Sequence, residues 1–394
     1  MTRTLLLLLL IAVASCRTTS TRMGGVAASP PPEVLPPASV TPRPAGEPTS
    51  SGSTGAPRDT PAPATMTQAP LPVATASPSP TPAATPTAAP TPEPAAEPPA
   101  FSYPIGLPGR LMGDGFFIRH GYMVENTWFN PGDWHTGEDW YATEGDTSGA
   151  GVYAVAEGEV VYVGANYPGR VVIVRHAADL VSMYGHLDPE VAVEVGGRLQ
   201  RGDRLGAVLG RTDGVPSHLH FEIRTFLTMR EVNGAAPRYP YRCGVDCPPG
   251  PGYWPFDADH PGAFGWRNPT HVIARRAWPD HGAGVLGEVV VPSAPVSSTA
   301  TLWAEPPRAG VQPRRVAEVD LSPERRFLLL DVEAGPEDTR TTGAESYRLW
   351  YRIRLEDGSS GWVEAAVAST FEAGADGRPA TILLNLLPAP APAS

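Results

Sequence analysis

The stretch Ser217-His218-Leu219-His220-Phe221-Glu222-Ile223 places two histidines at alternating positions among apolar residues. This alternation is typical of a β-strand, in which successive side chains point to opposite faces of the sheet. His218 and His220 are therefore expected to present both imidazoles to one face. Such a pair suits a metal site, but by itself it also fits two partly exposed strand histidines.

A second motif, His135-Thr136-Gly137-Glu138-Asp139, offers an imidazole and a carboxylate four positions apart. On a helix this spacing would place both groups on one face. The preceding Asn130-Pro131-Gly132 and the internal Gly137 instead favour a loop that enters a strand. Both side chains are good zinc donors, because one offers a nitrogen and the other a hard oxygen.

Between these motifs lies Met183-Tyr184-Gly185-His186-Leu187, which adds a further histidine. A catalytic zinc ion needs three protein ligands and an open position, and a hydrolase also needs a group that moves the proton of the attacking water. His135, Asp139 and one histidine of the later pair would complete the ligand set. Two imidazoles would then remain as acid and base.

Five signatures in one order resemble the lysostaphin/LytM family of peptidoglycan endopeptidases. They are the His-x-Gly-x-Asp at 135–139, Val152-Tyr153-Ala154-Val155-Ala156-Glu157-Gly158-Glu159-Val160, Tyr184-Gly185-His186-Leu187, Gly202-Asp203-Arg204-Leu205-Gly206 and His218-Leu219-His220-Phe221-Glu222. The resemblance covers about residues 106–226 and resumes at 268–273. It implies a zinc endopeptidase that hydrolyses peptide cross-links or stem peptides of peptidoglycan.

The resemblance also implies a role for each matched residue. His135, Asp139 and His220 would bind one Zn²⁺ ion per chain. His218 would act as the base beside the bound water. His186 would help to position that water and to stabilise the tetrahedral oxyanion.

Two departures from the family pattern leave the peptide preference open. Where the family usually has a Ser-Thr-Gly stretch, this chain has Gly210-Arg211-Thr212-Asp213-Gly214-Val215-Pro216-Ser217, and a cysteine-bearing insertion follows at 227–266. Two other functions also remain open. The chain could be a catalytically silent, wall-binding lipoprotein that activates amidases, or a general secreted protease that prefers glycine.

The remaining ionisable residues near the motifs are interpreted as structural. Glu138 and Glu222 flank ligands and are expected to point away from the metal face. An isolated histidine is more often a hydrogen-bonding core or surface residue than a ligand. This interpretation applies to His120, His176, His260, His271 and His281.

Short apolar runs broken by glycine turns predict a mainly β, antiparallel domain. The resemblance implies that this is the metallopeptidase domain, over residues 101–276. The expected strands are 152–155, 158–163, 171–175, 181–184 and 219–223. A separate module is expected at 284–371, where residues 350–363 alternate around Asp357-Gly358 as a hairpin should. This module resembles bacterial SH3-like β-barrels, which often bind cell-wall peptides, although its tryptophans also fit a small barrel packing its own core.

The N-terminus has the features of an export signal. Arg3 is followed by an apolar run at 5–14 and by Ser15-Cys16, which resembles the lipobox of bacterial lipoproteins. Residues 1–16 are thus predicted to be a signal peptide, with Cys16 lipidated and the protein extracytoplasmic and anchored to the membrane through this lipid. An ordinary secretory signal is the alternative.

Residues 17–100 hold 22 of the 48 prolines and no aromatic residue. Such a segment cannot bury enough apolar surface to fold, so it is predicted to be a disordered stalk. Residues 372–394 are predicted to be a disordered tail.

Cys243 and Cys247 are expected to form a disulfide, because exported chains meet an oxidising environment. Half of a second zinc site is the alternative for this pair. The formal net charge of -11 argues against nucleic acid as a partner.

Overall fold

A computed structural model describes residues 100–126, 130–167, 169–229, 248–250, 252–256, 259–278, 284–308, 310–339, 347–368, 379–381 and 384–385. The predictions for the signal peptide, Cys16, the stalk up to residue 99, His281 and the Cys243–Cys247 pair lie outside these residues. None of the helices in the described ranges combines the length and apolar character needed to cross a bilayer.

The described residues up to 278 form the main domain and contain fourteen strands and two helices. These are β1 (Ile105–Gly106), β2 (Phe116–His120), β3 (Glu125–Asn126), β4 (Asn130–His135), β5 (Glu138–Ala142), β6 (Gly151–Tyr153), β7 (Gly158–Tyr167), β8 (Gly169–Ala177), β9 (Leu180–Leu187), β10 (Arg198–Leu199), β11 (Arg204–Ala207), β12 (Leu219–Arg224), β13 (Tyr253–Pro255), α1 (Pro261–Phe264), β14 (Trp266–Arg267) and α2 (Pro269–Arg276).

The described residues from 284 onward form the C-terminal sheet, which has eight strands. These are β15 (Gly287–Val290), β16 (Thr299–Trp303), β17 (Arg315–Asp320), β18 (Arg326–Ala334), β19 (Leu349–Arg354), β20 (Ser360–Ala368), β21 (Pro379–Thr381) and β22 (Leu384–Asn385). The hairpin expected around Asp357-Gly358 is confirmed, because β19 and β20 pair antiparallel with Arg354 opposite Ser360. The SH3-like assignment stays a prediction.

Antiparallel pairing throughout confirms the mainly β prediction. The central sheet of the main domain has the order β10-β7-β8-β9-β12-β5-β2, with β14 added beside β12. One face of this sheet carries the hydrophobic core, in which Trp140, Tyr184 and Phe221 are buried. The opposite face of the neighbouring strands β5 and β12 carries Asp139 and His220, so the core supports the site from behind.

A smaller sheet with the order β13-β4-β3 holds the strand that ends in His135. Strand β13 comes from the insertion and pairs with β4 so that Tyr253 lies opposite His135. On the other side, the backbone N–H of Met123 donates to the His135 carbonyl at 2.9 Å. His135 is therefore held between two chain segments. A third sheet, β1-β6-β11, completes the main domain among its described strands.

Helix α2 was not predicted, although its ends carry recognisable signals. The side chain of Asn268 caps its first turn by accepting a hydrogen bond from the His271 backbone N–H at 3.2 Å, and Pro269 occupies the first helical position. Arg275 and Arg276 lie in the last turn, where cations suit the helix dipole. The alternation used to predict strands does not apply to this segment. The N-cap at Asn268 is the feature of the sequence that indicates a helix.

Strands β21 and β22 correct the expectation of a disordered tail at 372–394. β21 pairs with β20, and β22 pairs with β15. The sequence Ala380-Thr381-Ile382-Leu383-Leu384 is mostly apolar and contains Thr381 and Ile382, whose residue types favour strands. The prolines around this short run give the segment the composition of a disordered tail.

The C-terminal sheet was predicted as a separate module, but its core continues into the main domain. Ala274, Ala277 and Trp278, in and just after α2, are buried in the same hydrophobic cluster as residues of the C-terminal sheet. Conversely, Val290 and Tyr347 of the C-terminal sheet region belong to the core of the main domain. Apolar surface is thus shared across the junction.

Candidate metal centre

Three side-chain atoms of the main domain form a compact triangle. His135 Nε2 lies 3.3 Å from Asp139 Oδ1 and 3.1 Å from His220 Nδ1, and the last two atoms lie 3.0 Å apart. All three residues are buried. These are the three residues that the family resemblance assigned to the metal, and the fold brings them together from strands β4, β5 and β12.

Strand pairing explains this arrangement. Asp139 lies directly opposite His220 in the β5–β12 pair, so both side chains share one face of the sheet. The chain passes from β4 to β5 through Gly137, where an added Cβ would lie only 2.8 Å from Cγ of Glu222. A side chain at position 137 would therefore clash with strand β12, so glycine allows the β4–β5 connection to pass close to it.

Two hydrogen bonds set the tautomers of the two imidazoles. His135 Nδ1–H donates to the Gly121 carbonyl at 3.2 Å, and His220 Nε2–H donates to Glu222 Oε1 at 3.0 Å. Both partners are oxygens that only accept, so the proton must lie on the histidine nitrogen. In the neutral form of each ring, the other nitrogen then directs a lone pair into the triangle, an orientation that outer-shell partners also fix in metal sites.

This donor set fits a zinc ion. Two lone-pair nitrogens and a carboxylate oxygen that face one another at about 3 Å repel unless a cation or a proton lies between them. A tetrahedral zinc site with bonds of about 2.0–2.1 Å has donor–donor edges of about 3.3–3.4 Å. The observed separations of 3.0–3.3 Å are close to these edges. Two histidines and a carboxylate also leave a position open, as a catalytic zinc site requires.

The electrostatics of the triangle agree with this assignment. Burial opposes the charge on Asp139, but the neighbouring imidazoles of His135 and His218 outweigh it and hold the pKa of this carboxyl well below its usual range. Burial lowers the pKa of His135, which favours the neutral, coordinating form. Burial also acts to lower the pKa of His220, yet hydrogen bonds to Asp139 and Glu222 raise it to about 9. Metal binding therefore has to displace a proton at this residue.

The interpretation of Glu222 as pointing away from the metal face is wrong. Glu222 lies two positions after His220 on one strand, so the strand repeat places both on the same face. Its buried carboxylate also accepts hydrogen bonds from Thr136 Oγ1 at 2.7 Å and Trp266 Nε1 at 3.0 Å. Glu138 does lie on the opposite face, where it accepts from Trp140 Nε1 at 3.1 Å.

His218 stands beside the triangle with its own tautomer defined. Its Nδ1–H donates to the Pro216 carbonyl at 2.8 Å, so Nε2 carries the lone pair, and Nε2 lies 3.8 Å from Asp139 Oδ1. Tyr141 stacks on the ring with centroids 5.0 Å apart. Burial lowers the pKa of His218 and favours the neutral imidazole. This ring is placed as a proton acceptor.

His186 reaches the same face through a bulge in β9. In the β8–β9 pair, Val172 lies opposite Tyr184 and Arg170 opposite Leu187, so β9 contains one extra residue. His186 has a φ of 58°, a left-handed conformation that is uncommon outside glycine. Uninterrupted alternation would have placed its side chain with Tyr184 on the core face. The bulge instead brings the ring within 4.6 Å of the His218 ring, centroid to centroid.

Arg211 lies against His186 in the segment that departs from the family pattern. Its Nη1 is 3.5 Å from His186 Nδ1, and because a guanidinium only donates, Nδ1 is the acceptor and the neutral ring carries its proton on Nε2. Asp213 holds the guanidinium through two bonds, at 3.1 and 2.6 Å. His186 and His218 are thus set in opposite tautomers, one with a donor at Nε2 and one with an acceptor.

Sequence reasoning missed two residues that contact the ligands. His120 was interpreted as structural, yet it pairs with Asp139 across β2 and β5, and its Nδ1 lies 3.6 Å from Asp139 Oδ2. Tyr253 of the insertion stacks on His135, with centroids 4.9 Å apart. No local pattern marks either residue, because both contacts depend on strand pairing between segments that are distant in the sequence.

The other described histidines serve the fold. His176 donates to the Glu157 carbonyl at 2.7 Å, His260 caps α1, and His271 donates to the Pro336 carbonyl at 2.9 Å. Burial lowers the pKa of both His176 and His271 to about 4. These positions agree with their interpretation as hydrogen-bonding residues.

Three solved structures are similar to parts of the chain. A zinc-containing peptidase from Vibrio cholerae is 30% identical, with 32% of this chain and 36% of that chain covered and a TM-score of 0.23. The catalytic domain of the prophage-encoded M23 protein EnpA from Enterococcus faecalis, solved as a point mutant, is 25% identical, with 32% and 87% covered and a TM-score of 0.25. The antimicrobial peptidase lysostaphin from Staphylococcus simulans is 11% identical, with 73% and 98% covered and a TM-score of 0.28.

The chain spans little more than a third of the length of the Vibrio cholerae peptidase. No curated protein matches it. Residues 133–234 match the family model described as Peptidase family M23, and this range includes all five residues of the candidate site. This part of the chain, which holds all five motifs of the resemblance, is therefore a domain of peptidase family M23.

Proposed function

We propose that this protein is a zinc-dependent endopeptidase that hydrolyses peptide cross-links or stem peptides of peptidoglycan. The observation that carries the proposal is the pairing of a three-donor triangle with two histidines in opposite tautomers. In their neutral forms, His135 and His220 direct lone pairs towards the carboxylate of Asp139. His218 and His186 flank this triangle with an acceptor and a donor respectively.

His135, Asp139 and His220 would hold the zinc ion. When bound, zinc polarises a carbonyl group and lowers the pKa of water towards about 7. The protein supplies a buried, preoriented ligand set, since Gly121 and Glu222 fix the two imidazoles before any metal arrives. Such preorganisation reduces the cost of assembling the site.

His218 is assigned the role of general base. Its Nε2 accepts the proton of the attacking water, while the Pro216 carbonyl keeps the Nδ1 proton in place. The same nitrogen then returns the proton to the leaving amine. Tyr141 holds the plane of the ring by stacking, so the acceptor keeps its direction during both transfers.

His186 is assigned to electrostatic stabilisation. Its Nε2–H donates to the negative charge that develops on the oxygen of the scissile carbonyl. Arg211 supports this role, because its guanidinium occupies Nδ1 and prevents the ring from presenting a lone pair to that oxygen. The two histidines thus divide proton transfer and charge stabilisation between them.

The setting of this activity is proposed from the sequence. An export signal, a lipid anchor at Cys16 and a proline-rich stalk would place the enzyme outside the cytoplasm, tethered to the membrane and able to reach peptidoglycan. An SH3-like C-terminal sheet would add a second contact with wall peptides.

Digestion of defined peptidoglycans tests the proposal. The purified chain, with and without a chelator, is incubated with peptidoglycans of different cross-link chemistry, and released peptides are identified by mass spectrometry. We expect new peptide termini that vanish with the chelator and return with zinc. His218→Ala should lower kcat by about 10²–10⁴-fold while zinc binding is kept. His260→Ala is the control, since that side chain caps α1 outside the site.

Two outcomes would favour the other functions. A chain that binds no zinc and releases no peptide, but increases the activity of an amidase, would be a silent activator. A chain that cuts elastin or casein as readily as peptidoglycan would be a general protease. Unchanged cleavage by His218→Ala would contradict the assigned base.

A further inference from the structure

Tyr347 belongs to the C-terminal sheet region, but its side chain lies in the core of the main domain. Only 1% of the residue is exposed. Its hydroxyl ends between two segments of the main domain that both lead directly to metal ligands. Such deep burial in the main domain was not expected, because the sequence predicted that the C-terminal region is a separate module.

The hydroxyl of Tyr347 makes two hydrogen bonds in opposite directions. It accepts a hydrogen bond from the backbone N–H of Tyr122. It donates a hydrogen bond to the carboxylate of Glu138. Both partners are buried, so neither can exchange this contact for water without opening the core.

The first contact leads to His135 through a single peptide unit. The N–H of Tyr122 and the carbonyl of Gly121 belong to the same planar group, so fixing one fixes the direction of the other. That carbonyl accepts the His135 Nδ1–H at 3.2 Å. Gly121 is also pressed against the phenol, because an added Cβ would lie 2.6 Å from Cε2 of Tyr347.

The second contact leads to Asp139 through the adjacent residue. Glu138 precedes Asp139 on β5, and its carboxylate also accepts from the backbone N–H and the hydroxyl of Thr270, at 3.1 and 2.6 Å. Thr270 lies in α2, which packs into the C-terminal sheet. Glu138 therefore ties the ligand-bearing strand to the junction between the two regions.

We propose that Tyr347 is a positioning residue for the metal centre, which orients His135 through the Gly121–Tyr122 peptide and thereby makes the C-terminal sheet part of the site. A phenol is suited to this role because its oxygen both accepts from a backbone N–H and donates to a carboxylate. The inference rests on the proposed zinc site. It assigns to the C-terminal sheet a role that does not depend on wall binding.

Tyr347→Phe in the full chain tests the inference, because this change keeps the ring and removes only the oxygen. Zinc affinity is measured by competition with a chromogenic chelator, starting from metal-free protein. We expect zinc binding to weaken by about tenfold or more, the usual cost of losing an outer-shell partner. With saturating zinc, kcat and KM should return to near the parent values.

Tyr351→Phe is the matched control. Tyr351 is also fully buried, but it lies in the hydrophobic cluster of the C-terminal sheet. Zinc affinity should stay at the parent value in this variant. Equal weakening in both variants would mean general destabilisation and would overturn the inference.

A second measurement keeps the inference testable if Tyr347→Phe does not fold. In the metal-free parent, nitrogen-15 NMR of the His135 ring should show the Nδ1–H tautomer, with a proton protected from exchange. A mixed tautomer would overturn the inference. A parent chain that binds no zinc would defeat the proposed function itself, whereas tight zinc binding by both parent and Tyr347→Phe would defeat only the role of Tyr347.

Discussion

Strands β12 and β9 lie side by side in the central sheet, and each brings one site histidine to the same face by a different route. β12 pairs in regular register with β9 and β5 through His220. β9 delivers His186 only through an extra residue and a left-handed backbone. The regular strand obeys the two-residue repeat, whereas the bulged strand breaks it. The two-residue repeat of a strand therefore predicts the face on which a site residue lies only where the strand pairing is uninterrupted.

The largest effect is expected from removing a ligand on the regular strand. His220→Ala should abolish zinc binding and hydrolysis together, because the triangle loses one donor and Glu222 loses its hydrogen-bonded partner. Zinc content and peptide release from peptidoglycan measure both losses. Retained zinc binding with lost activity would place His220 outside the ligand set.

Glycine substitutions at the two other histidines sharpen the comparison. His186→Gly should lower kcat by about 10²–10³-fold, because a donor to the developing oxyanion is lost. The same change should raise the free energy of unfolding by about 1 kcal/mol, because glycine relieves the left-handed strain at φ 58°. His218→Gly should instead lower stability by about 1 kcal/mol, since its φ is not strained.

Urea unfolding of the chelator-treated variants measures these changes. If His186→Gly proves as destabilising as His218→Gly, the bulge stores no strain and the contrast between the two strands is lost.

His271 shows what burial alone does to a histidine outside the site. It is fully buried, and burial lowers its pKa to about 4, whereas the unfolded chain binds a proton below about 6.5. The contribution of neutral His271 to the free energy of unfolding is therefore complete above about pH 6.5, and it is lost as the pH falls towards 4. When the pH is lowered from 7 to 5, this residue should therefore lower the free energy of unfolding by about 2 kcal/mol.

His271→Gln should remove that part of the pH dependence. Urea unfolding of metal-free protein at the two pH values measures it, with His260→Gln as control. An unchanged pH dependence in His271→Gln would show that folding does not lower the pKa of this histidine.

The smallest effect is expected at Arg211. Arg211→Met removes the donor to His186 Nδ1 and lets the ring adopt either tautomer, so kcat should fall by roughly tenfold, about 1.4 kcal/mol, with zinc affinity unchanged. Arg198→Met is the control, because that side chain is 82% exposed and pairs with Glu159 at 3.8 Å, away from the site. A change in KM alone would indicate that Arg211 binds substrate rather than positioning His186.

Much of the fold followed from local patterns in the sequence. The alternation around Leu219 and the Asp357-Gly358 turn correctly predicted β12 and the β19–β20 hairpin. The order of the five motifs correctly predicted the family. Helix α2 was missed because its evidence lies in the cap at Asn268 and in Pro269, rather than in strand alternation. Strands β21 and β22 were missed because proline-rich neighbours dominated the composition.

By itself, the sequence determined the match to peptidase family M23 and much of the strand pattern, and its resemblance to that family predicted the five residues of the candidate site. Motif order and a two-residue repeat can be read from neighbouring positions alone. Only the tertiary structure decided the direction of His186, the tautomers of the imidazoles and the contacts of Glu222 and His120. It also placed Tyr347 against Tyr122, 225 residues away in the chain. Such contacts arise from bulges, strand pairing and shared core packing, which join segments that no local pattern connects.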